Sequence, residues 1–198
     1  MFNLREFEKK INGIETRRNV PMAQRTSFHV GGNADLVIFP ASEMELQRVL
    51  RLLSAERTPY FVLGGGTNLI VADKGIREPV IATEKLKRIA VDGCRITAEA
   101  GARVEDVCLA ALNAGLSGLE FLYKLPGSVG GAVRMNARCY ERSTAEVLES
   151  VRYLKTDGSA HTLLPTDSDF GYKRSPFQNN GTVVLSAVFR LEPGDRIQ

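Results

Sequence analysis

The chain has 198 residues, 43% of them hydrophobic and 25% charged, with a net charge of +3, the composition of a soluble globular protein with one large or two small domains. Its Lys and Arg gather into no block that would mark a nucleic-acid surface, and no stretch approaches the roughly 20 apolar residues of a membrane span. Cys94, Cys108 and Cys139 show no CxxC spacing and the histidines are only His29 and His161, which argues against a disulfide framework or a metal centre and points to a reducing, cytoplasmic setting.

In chain order, MFNLREFEKKINGIE sets Phe2, Leu4, Phe7 and Ile11 among charges; this predicts a short amphipathic helix without the apolar core of a signal peptide. ETRRN (Arg17, Arg18) and KLKR (Lys85 to Arg88) are expected to be solvated loops. SEMELQRVLRLLSAE opens on a capping serine and places Met44, Leu46, Val49, Leu50, Leu52 and Leu53 mostly on one side of a helix. TPYFVLGGG reads as a short buried strand, Tyr60 to Leu63, running into three glycines. LIVAD, PVIAT, RIAVDG and RITAEAG are short strand-like pieces separated by turns.

RVEDVCLAALNAGLSG predicts a second helix with a stripe of Val104, Val107, Cys108, Ala111 and Leu112 and a stop at Gly115. A stretch rich in glycine and small residues follows, then a hairpin signal at Asp157-Gly158. GTVVLSAVFRLEPGD closes the chain as a long strand, with Val184, Ser186, Val188 and Arg190 alternating against Val183, Leu185, Ala187 and Phe189. There is no internal repeat, no low-complexity linker and no regular βαβα rhythm, so the expected fold class is α+β.

VLGGGTNLIV raises the functional question. It lacks the lysine of a P-loop, and Leu69 begins a strand-like run where a dinucleotide fingerprint would open a helix. Small residues still expose several backbone N–H groups, and Thr67 and Asn68 add side-chain donors, a workable cradle for a pyrophosphate. The same residues also read as a tight glycine turn between strands. PGSVGGAVRMNA adds Gly127, Ser128, Gly130, Gly131, Ala132 and Ala137, which allow a flat ligand or another backbone to come close. Together the two clusters point to a long ligand between two subdomains.

RTSFHVGGNADLVIFP, VLGGGTNLIVAD, LPGSVGGAVRMNARCY and FGYKRSPFQ, in this order, resemble the MurB family of UDP-N-acetylenolpyruvoylglucosamine reductases across residues 15–192. The resemblance implies a two-subdomain, PCMH-type FAD-binding fold of the kind found in vanillyl-alcohol oxidases. It divides the chain into a helix and lead-in (1–20), subdomain 1 (21–82), subdomain 2 (83–192) and the start of a link to a substrate domain (193–198). It also implies the chemistry: NADPH reduces FAD, and hydride passes to the enolpyruvyl double bond of a UDP-sugar, giving UDP-N-acetylmuramate for peptidoglycan synthesis. A serine protonates the adjacent carbon while an arginine and a glutamate stabilise the developing charge. The expected partner is that small-molecule UDP-sugar, with no nucleic acid and no membrane.

Carried over by position, Gly64, Gly65, Gly66, Thr67 and Asn68 would cradle the FAD pyrophosphate. Gly127, Ser128, Gly130, Gly131 and Ala132 would line the flavin, with Asn136 and Ala137 continuing that wall. Thr26, Ser27, Gly31 and Gly32 would lie beside the adenine half, or form a structural strand and turn. The family's catalytic arginine follows the tyrosine in Tyr-Arg-x-Ser; here the stretch is Tyr172-Lys173-Arg174-Ser175. Lys173 holds the arginine's slot as a point charge without the bidentate fork, and Arg174 comes one residue later. Successive residues of an extended chain point to opposite faces, so both cannot easily serve; the fork favours Arg174, and the other reading leaves both charges in solvent. Tyr172 and Ser175 are expected at the substrate.

Arg138 and Glu141 stand where the family has glycines, and Cys139 reads as a small buried residue rather than a redox thiol. The family's proton-donor serine and late glutamate belong to a third domain and have no counterpart in these 198 residues, so turnover by these residues alone is not expected. Two other readings stand beside this one. A flavin oxidase of the same fold is disfavoured because no histidine lies in the glycine-loop region for covalent attachment; a non-catalytic FAD-binding or interaction domain would hold flavin without UDP-sugar chemistry.

Overall fold

The structure, a computed structural model, describes residues 4–194; Phe2 and residues 195–198 of the expected link lie outside them. The amphipathic N-terminus forms α1 (Leu4–Lys10), which buries Phe7 and, just beyond its end, Ile11. ETRRN is not a loop. It forms β1 (Glu15–Pro21), so the first sheet begins before the boundary expected at residue 21. Its arginines suit an exposed edge, where charge discourages further strand pairing: Arg17 pairs with Glu15 at 2.7 Å and Arg18 with Glu8.

β2 (Asn33–Phe39) is apolar on both faces and central. It pairs antiparallel with β1, then leads through α2 (Glu43–Ala55) to β3 (Phe61–Leu63) and on to β4 (Val80–Ala82). β2, β4 and β3 are parallel, in the order β1-β2-β4-β3. Ser42 caps α2 as expected, its Oγ accepting from the Glu45 N–H at 3.2 Å. Leu46, Val49, Leu50 and Leu53 are buried, but Met44, in the first turn, is 76% exposed.

LIVAD forms no strand. Its backbone runs beside residues 26–33 at very close range: the Gly32 N–H donates to the Ala72 carbonyl at 3.0 Å, and a Cβ on Gly32 would lie 2.0 Å from the Asp73 carbonyl. Two loops packed this tightly leave no room for a pleated ladder.

The second sheet is antiparallel. β5 (Ile89–Asp92) and β6 (Arg95–Glu99) form a hairpin, and α3 (Val104–Asn113) follows. Leu112 sits at the edge of the α3 stripe and is exposed, while Gly115 takes the positive φ (68°) of a helix stop. After β7 (Leu116–Ser117), the second glycine cluster is a helix, α4 (Val129–Met135), rather than an open loop. Ser128 caps it, and Gly130 lets it press on the end of β6, since a Cβ there would sit 2.9 Å from that of Ala100. The hairpin of β8 (Arg138–Cys139) and β9 (Arg142–Ser143) precedes β10 (Leu148–Leu154) and β11 (Ala160–Leu163), which join through the expected Asp157-Gly158 turn. β12 (Val183–Arg190) completes the order β11-β10-β12-β6-β5, and the short β13 (Glu192–Pro193) pairs with β7.

Leu154, Val183 and Leu185 from the second sheet share one buried cluster with Phe7 of α1, Leu36 and Ile38 of β2, and Leu46 and Leu50 of α2. At about 1.5–3 kcal/mol for each fully buried aliphatic side chain, this shared core fixes the two subdomains relative to one another. The bidentate pair of Arg152 with Glu43, at 2.9 and 2.7 Å, spans the same junction at the surface and adds about 1 kcal/mol or less.

Two consequences are testable. Tyr140 and Glu141 form the β8–β9 turn with φ of 48° and 65°, a two-residue turn that favours glycine at its second position. Left-handed backbone costs a residue with a Cβ roughly 1–2 kcal/mol. Glu141→Gly is therefore expected to raise Tm by about 2–4 °C for each kcal/mol regained in a chain of this size, read by thermal unfolding; an unchanged or lower Tm contradicts it. Separately, burial pushes the Cys108 thiol up to about 11, against about 8.5 for a free thiol. Its raised folded pKa makes the neutral form a stabilising one: that contribution is complete below about pH 8.5 and is lost as pH rises toward 11. A thiol titration at pH 8 should modify exposed Cys94 and spare Cys108 until the chain unfolds; prompt reaction of Cys108 in the folded chain contradicts this.

Candidate functional site

Gly64 to Asn68 leave the carboxyl end of β3, and Thr83 leaves the carboxyl end of the neighbouring β4. The carboxyl ends of parallel strands are where open sheets take ligands. The glycines are required by close approach. A Cβ on Gly65 would meet the Gly127 Cα at 2.9 Å, and one on Gly66, whose φ is 66°, would sit 2.0 Å from the Arg25 carbonyl. The two clusters singled out in the sequence therefore touch, and Gly65 N–H donates to Ser128 Oγ at 3.2 Å across the subdomain boundary.

Their donors are used differently. Val129, Gly130, Gly131 and Ala132 commit their N–H groups to Ala102 O (2.9 Å), Ala100 O (2.8 Å), Ser128 Oγ (3.4 Å) and Ser128 O (2.9 Å). Among the described residues nothing accepts from the N–H of Gly66, Thr67 or Asn68, or from the side chains of the latter two. The first cluster keeps donors for a ligand. The second offers a surface, barest at Gly131, where a Cβ would meet only Ser128 Oγ, at 3.4 Å.

Beside Gly66, Thr26 is buried and its hydroxyl has no hydrogen-bond partner among the described residues, while the adjacent Ser27 N–H donates to the Gly66 carbonyl at 3.1 Å. A cavity between the subdomains is lined by Val62, Gly64, Thr83, Gly131, Arg134 and Phe177. Sequence reasoning did not single out Thr83, Arg134 or Phe177. The available signal was positional: Thr83 ends β4 as Gly64 ends β3, and Arg134 is the charged residue within a run of small and apolar ones.

The second stretch expected at the site follows Phe170. It is not extended. Gly171 and Arg174 exchange two backbone hydrogen bonds of 3.1 Å, closing a two-residue turn of Tyr172 and Lys173, with Lys173 at φ 50°. The alternation argument for choosing between the two cations therefore does not apply. Arg174 folds back: its guanidinium lies on Gly171, and Nη2 reaches the Ser168 carbonyl at 3.4 Å. It also faces Asp169, whose carboxyl is held below its usual range first by hydrogen bonds from Thr166 and then by the Arg174 charge. Lys173 stands at the tip with its Nζ 5.5 Å from the Tyr172 ring centre, and Tyr172 is 74% exposed.

Ser175 and Asn136, expected at substrate and flavin, have their side chains engaged by the protein. Ser175 is buried, donating to the Arg134 carbonyl at 2.7 Å and accepting from the Phe177 N–H. The buried Asn136 amide joins the Gly171 carbonyl, at 2.9 Å, to the Ala145 N–H, at 3.0 Å. Arg134 donates to the Phe177 carbonyl, so the whole 171–178 stretch is tied to the end of α4. Cys139 is half-buried in β8.

A protein-family profile described as FAD binding domain matches residues 34–164. The chain belongs to the FAD-binding-domain family. Several reductases are similar in sequence to the chain. The UDP-N-acetylenolpyruvoylglucosamine reductase of Streptococcus pneumoniae (strain Hungary19A-6) is 44% identical over 184 residues, 93% of this chain and 61% of that protein. Its counterpart from strain ATCC BAA-334 / TIGR4 is also 44% identical, over 58% of its length. The chain thus spans about three fifths of these relatives. Among solved structures, UDP-N-acetylenolpyruvylglucosamine reductase (MurB) from Thermus caldophilus superposes with a TM-score of 0.78 at 32% identity, covering 93% of this chain and 64% of that one. Physcomitrella patens BBE-like 1 matches at 0.73 and 18% identity, a likeness of fold alone.

The expected α+β, PCMH-type fold is thereby shown, and FAD is the cofactor of the FAD-binding-domain family. The residues present fit it: unengaged N–H groups for a diphosphate after β3, the orphaned Thr26 hydroxyl beside them, and the bare face of Gly131 in the cleft between subdomains.

Proposed function

We propose that this chain is the flavin-binding portion of a UDP-N-acetylenolpyruvoylglucosamine reductase, acting in the cytoplasm on peptidoglycan precursors and so serving cell-wall growth, shape and division. The observation that carries the reading is the row of unengaged N–H groups at Gly66, Thr67 and Asn68, set against the closed helix α4 in a chain 44% identical to reductases of that name. Gly64, Gly65 and Gly66 with Thr67 and Asn68 hold the diphosphate, while Gly127, Ser128, Gly130, Gly131 and Ala132 wall the cleft. The chemistry that bound FAD supplies is hydride transfer from NADPH to the enolpyruvyl double bond of UDP-N-acetylglucosamine enolpyruvate.

The chain's own part in that reaction is to position and to stabilise charge. Lys173, exposed at the turn tip and occupying the arginine slot of Tyr-Arg-x-Ser, faces the anionic substrate, with Tyr172 beside it. Arg174 buttresses the turn through Gly171, Ser168 and Asp169. A point charge near a developing carboxylate-conjugated carbanion lowers its energy without taking its proton.

The test is a visible absorption spectrum after FAD is added and the excess removed, repeated without oxygen after NADPH. A flavin band that is retained and bleaches with NADPH is the expected result, with its return on the enolpyruvyl UDP-sugar expected once a relative's substrate domain is joined to the chain. A band that ignores NADPH but bleaches with an alcohol or lactone favours an oxidase of the same fold. A folded chain that retains no flavin overturns the reading.

A further inference from the structure

The geometry points to Asn136 and Gln178 as positioning residues that hang the Tyr172–Lys173 turn from the end of α4. Asn136 ends α4 in the left-handed region, φ 43° and ψ 59°, where asparagine is among the few tolerated non-glycine residues. Glycine would stop the helix there with less strain, so the amide has a further use. Both of its ends are engaged: Nδ2 donates to the Gly171 carbonyl at 2.9 Å, and Oδ1 accepts from the Ala145 N–H at 3.0 Å.

Gly171 is the base of the turn, and Gln178 holds its tip. Gln178 Nε2 donates to the Lys173 carbonyl and to the Arg134 carbonyl, each at 3.0 Å. Two amides thus suspend the turn at two points from one helix end. The opposite end of that helix is fixed to the glycine loop through Ser128 and Gly65. Burying a polar group is costly unless it is fully bonded, yet what the buried Asn136 and the half-buried Gln178 hold is an exposed turn whose side chains add little to the core. Tyr172, Lys173 and Arg174 are all exposed. Such an arrangement suits a group that must be held at a set distance from a ligand on the glycine loop.

The consequence is a separation of roles. Asn136 and Gln178 act through Lys173, and their loss loosens the turn without opening the flavin cleft. This rests on the reading above only in taking Lys173 to face the substrate.

The chain contains no tryptophan, so Tyr172→Trp places a single indole on the turn. In that background, Asn136→Gly, which keeps the helix stop, and Gln178→Ala are each expected to lower indole fluorescence anisotropy in the folded, flavin-free chain, and together to lower it further. With Tyr172 retained, each variant should bind FAD within about twofold of the parent, while kcat for the enolpyruvyl UDP-sugar, read with the chain joined to the substrate domain of a reductase relative, falls by up to ~100-fold, the scale of a reacting group misplaced by about 1 Å. Unchanged anisotropy in both variants overturns the proposal whatever the turnover. Lowered Tm with anisotropy and kcat unmoved also overturns it, because it leaves the residues only structural. If the parent chain joined to that domain reduces no UDP-sugar, the reductase reading fails by itself, and the anisotropy still decides the positioning claim.

Discussion

Gly66→Ala is expected to abolish flavin retention in a chain that still folds. The new methyl would lie 2.0 Å from the Arg25 carbonyl at a backbone φ of 66°. The left-handed strain is worth about 1–2 kcal/mol, and the clash adds a further ~1–3 kcal/mol of the kind seen on overpacking. The loop relieves both by moving off residues 25–27, which carries the N–H groups of Gly66, Thr67 and Asn68 away from one another. Hydrogen bonds to a charged group contribute about 1.5–3 kcal/mol each, so losing two of them weakens FAD by ~100-fold or more. Gly93→Ala is the control: it has the same sign of φ, 54°, and open space around the added Cβ, so it should lower Tm slightly and leave flavin affinity alone. Equilibrium titration of FAD into both variants checks this. Full affinity in Gly66→Ala would falsify the cradle.

Lys173→Ala should cost ~100- to 1,000-fold in kcat/KM, the range for removing one group that stabilises transition-state charge. Arg174→Ala should cost much less, because its guanidinium lies on Gly171 and reaches back to the Ser168 carbonyl and toward Asp169. The readout is NADPH-dependent reduction of the enolpyruvyl UDP-sugar by the chain joined to the substrate domain of a reductase relative. Lys173→Arg should retain activity, since a fork also serves a carboxylate. A larger loss in Arg174→Ala than in Lys173→Ala would reverse the two roles.

The choice between these cations shows where reading the sequence reached its limit. Favouring Arg174 in the stretch Tyr172-Lys173-Arg174-Ser175 assumed an extended backbone. The paired bonds between Gly171 and Arg174 make it a turn, and those bonds depend on Asn136 and Gln178, which are distant along the chain or engaged in unpredictable ways. LIVAD failed for a related reason. Its apolar residues have strand character, yet a neighbouring loop occupies the space a partner strand would need. In the second cluster, glycines that suggested only close approach are helical because Ser128 caps them and Gly130 must fit against Ala100.

Local chemistry was legible wherever neighbouring residues settle the outcome. Ser42 capping α2, Gly115 ending α3 and Asp157-Gly158 closing the β10–β11 hairpin follow from short-range bonding and backbone freedom, which the order of residues carries. So did the presence of two close-approach clusters, since three adjacent glycines have few other uses. The tertiary structure alone decided which cluster keeps its donors. Whether a backbone N–H is left for a ligand depends on which carbonyl or hydroxyl lies opposite it. For Gly130 that group is the Ala100 carbonyl and for Gly65 it is Ser128 Oγ, both brought there by the packing of two sheets on one shared core.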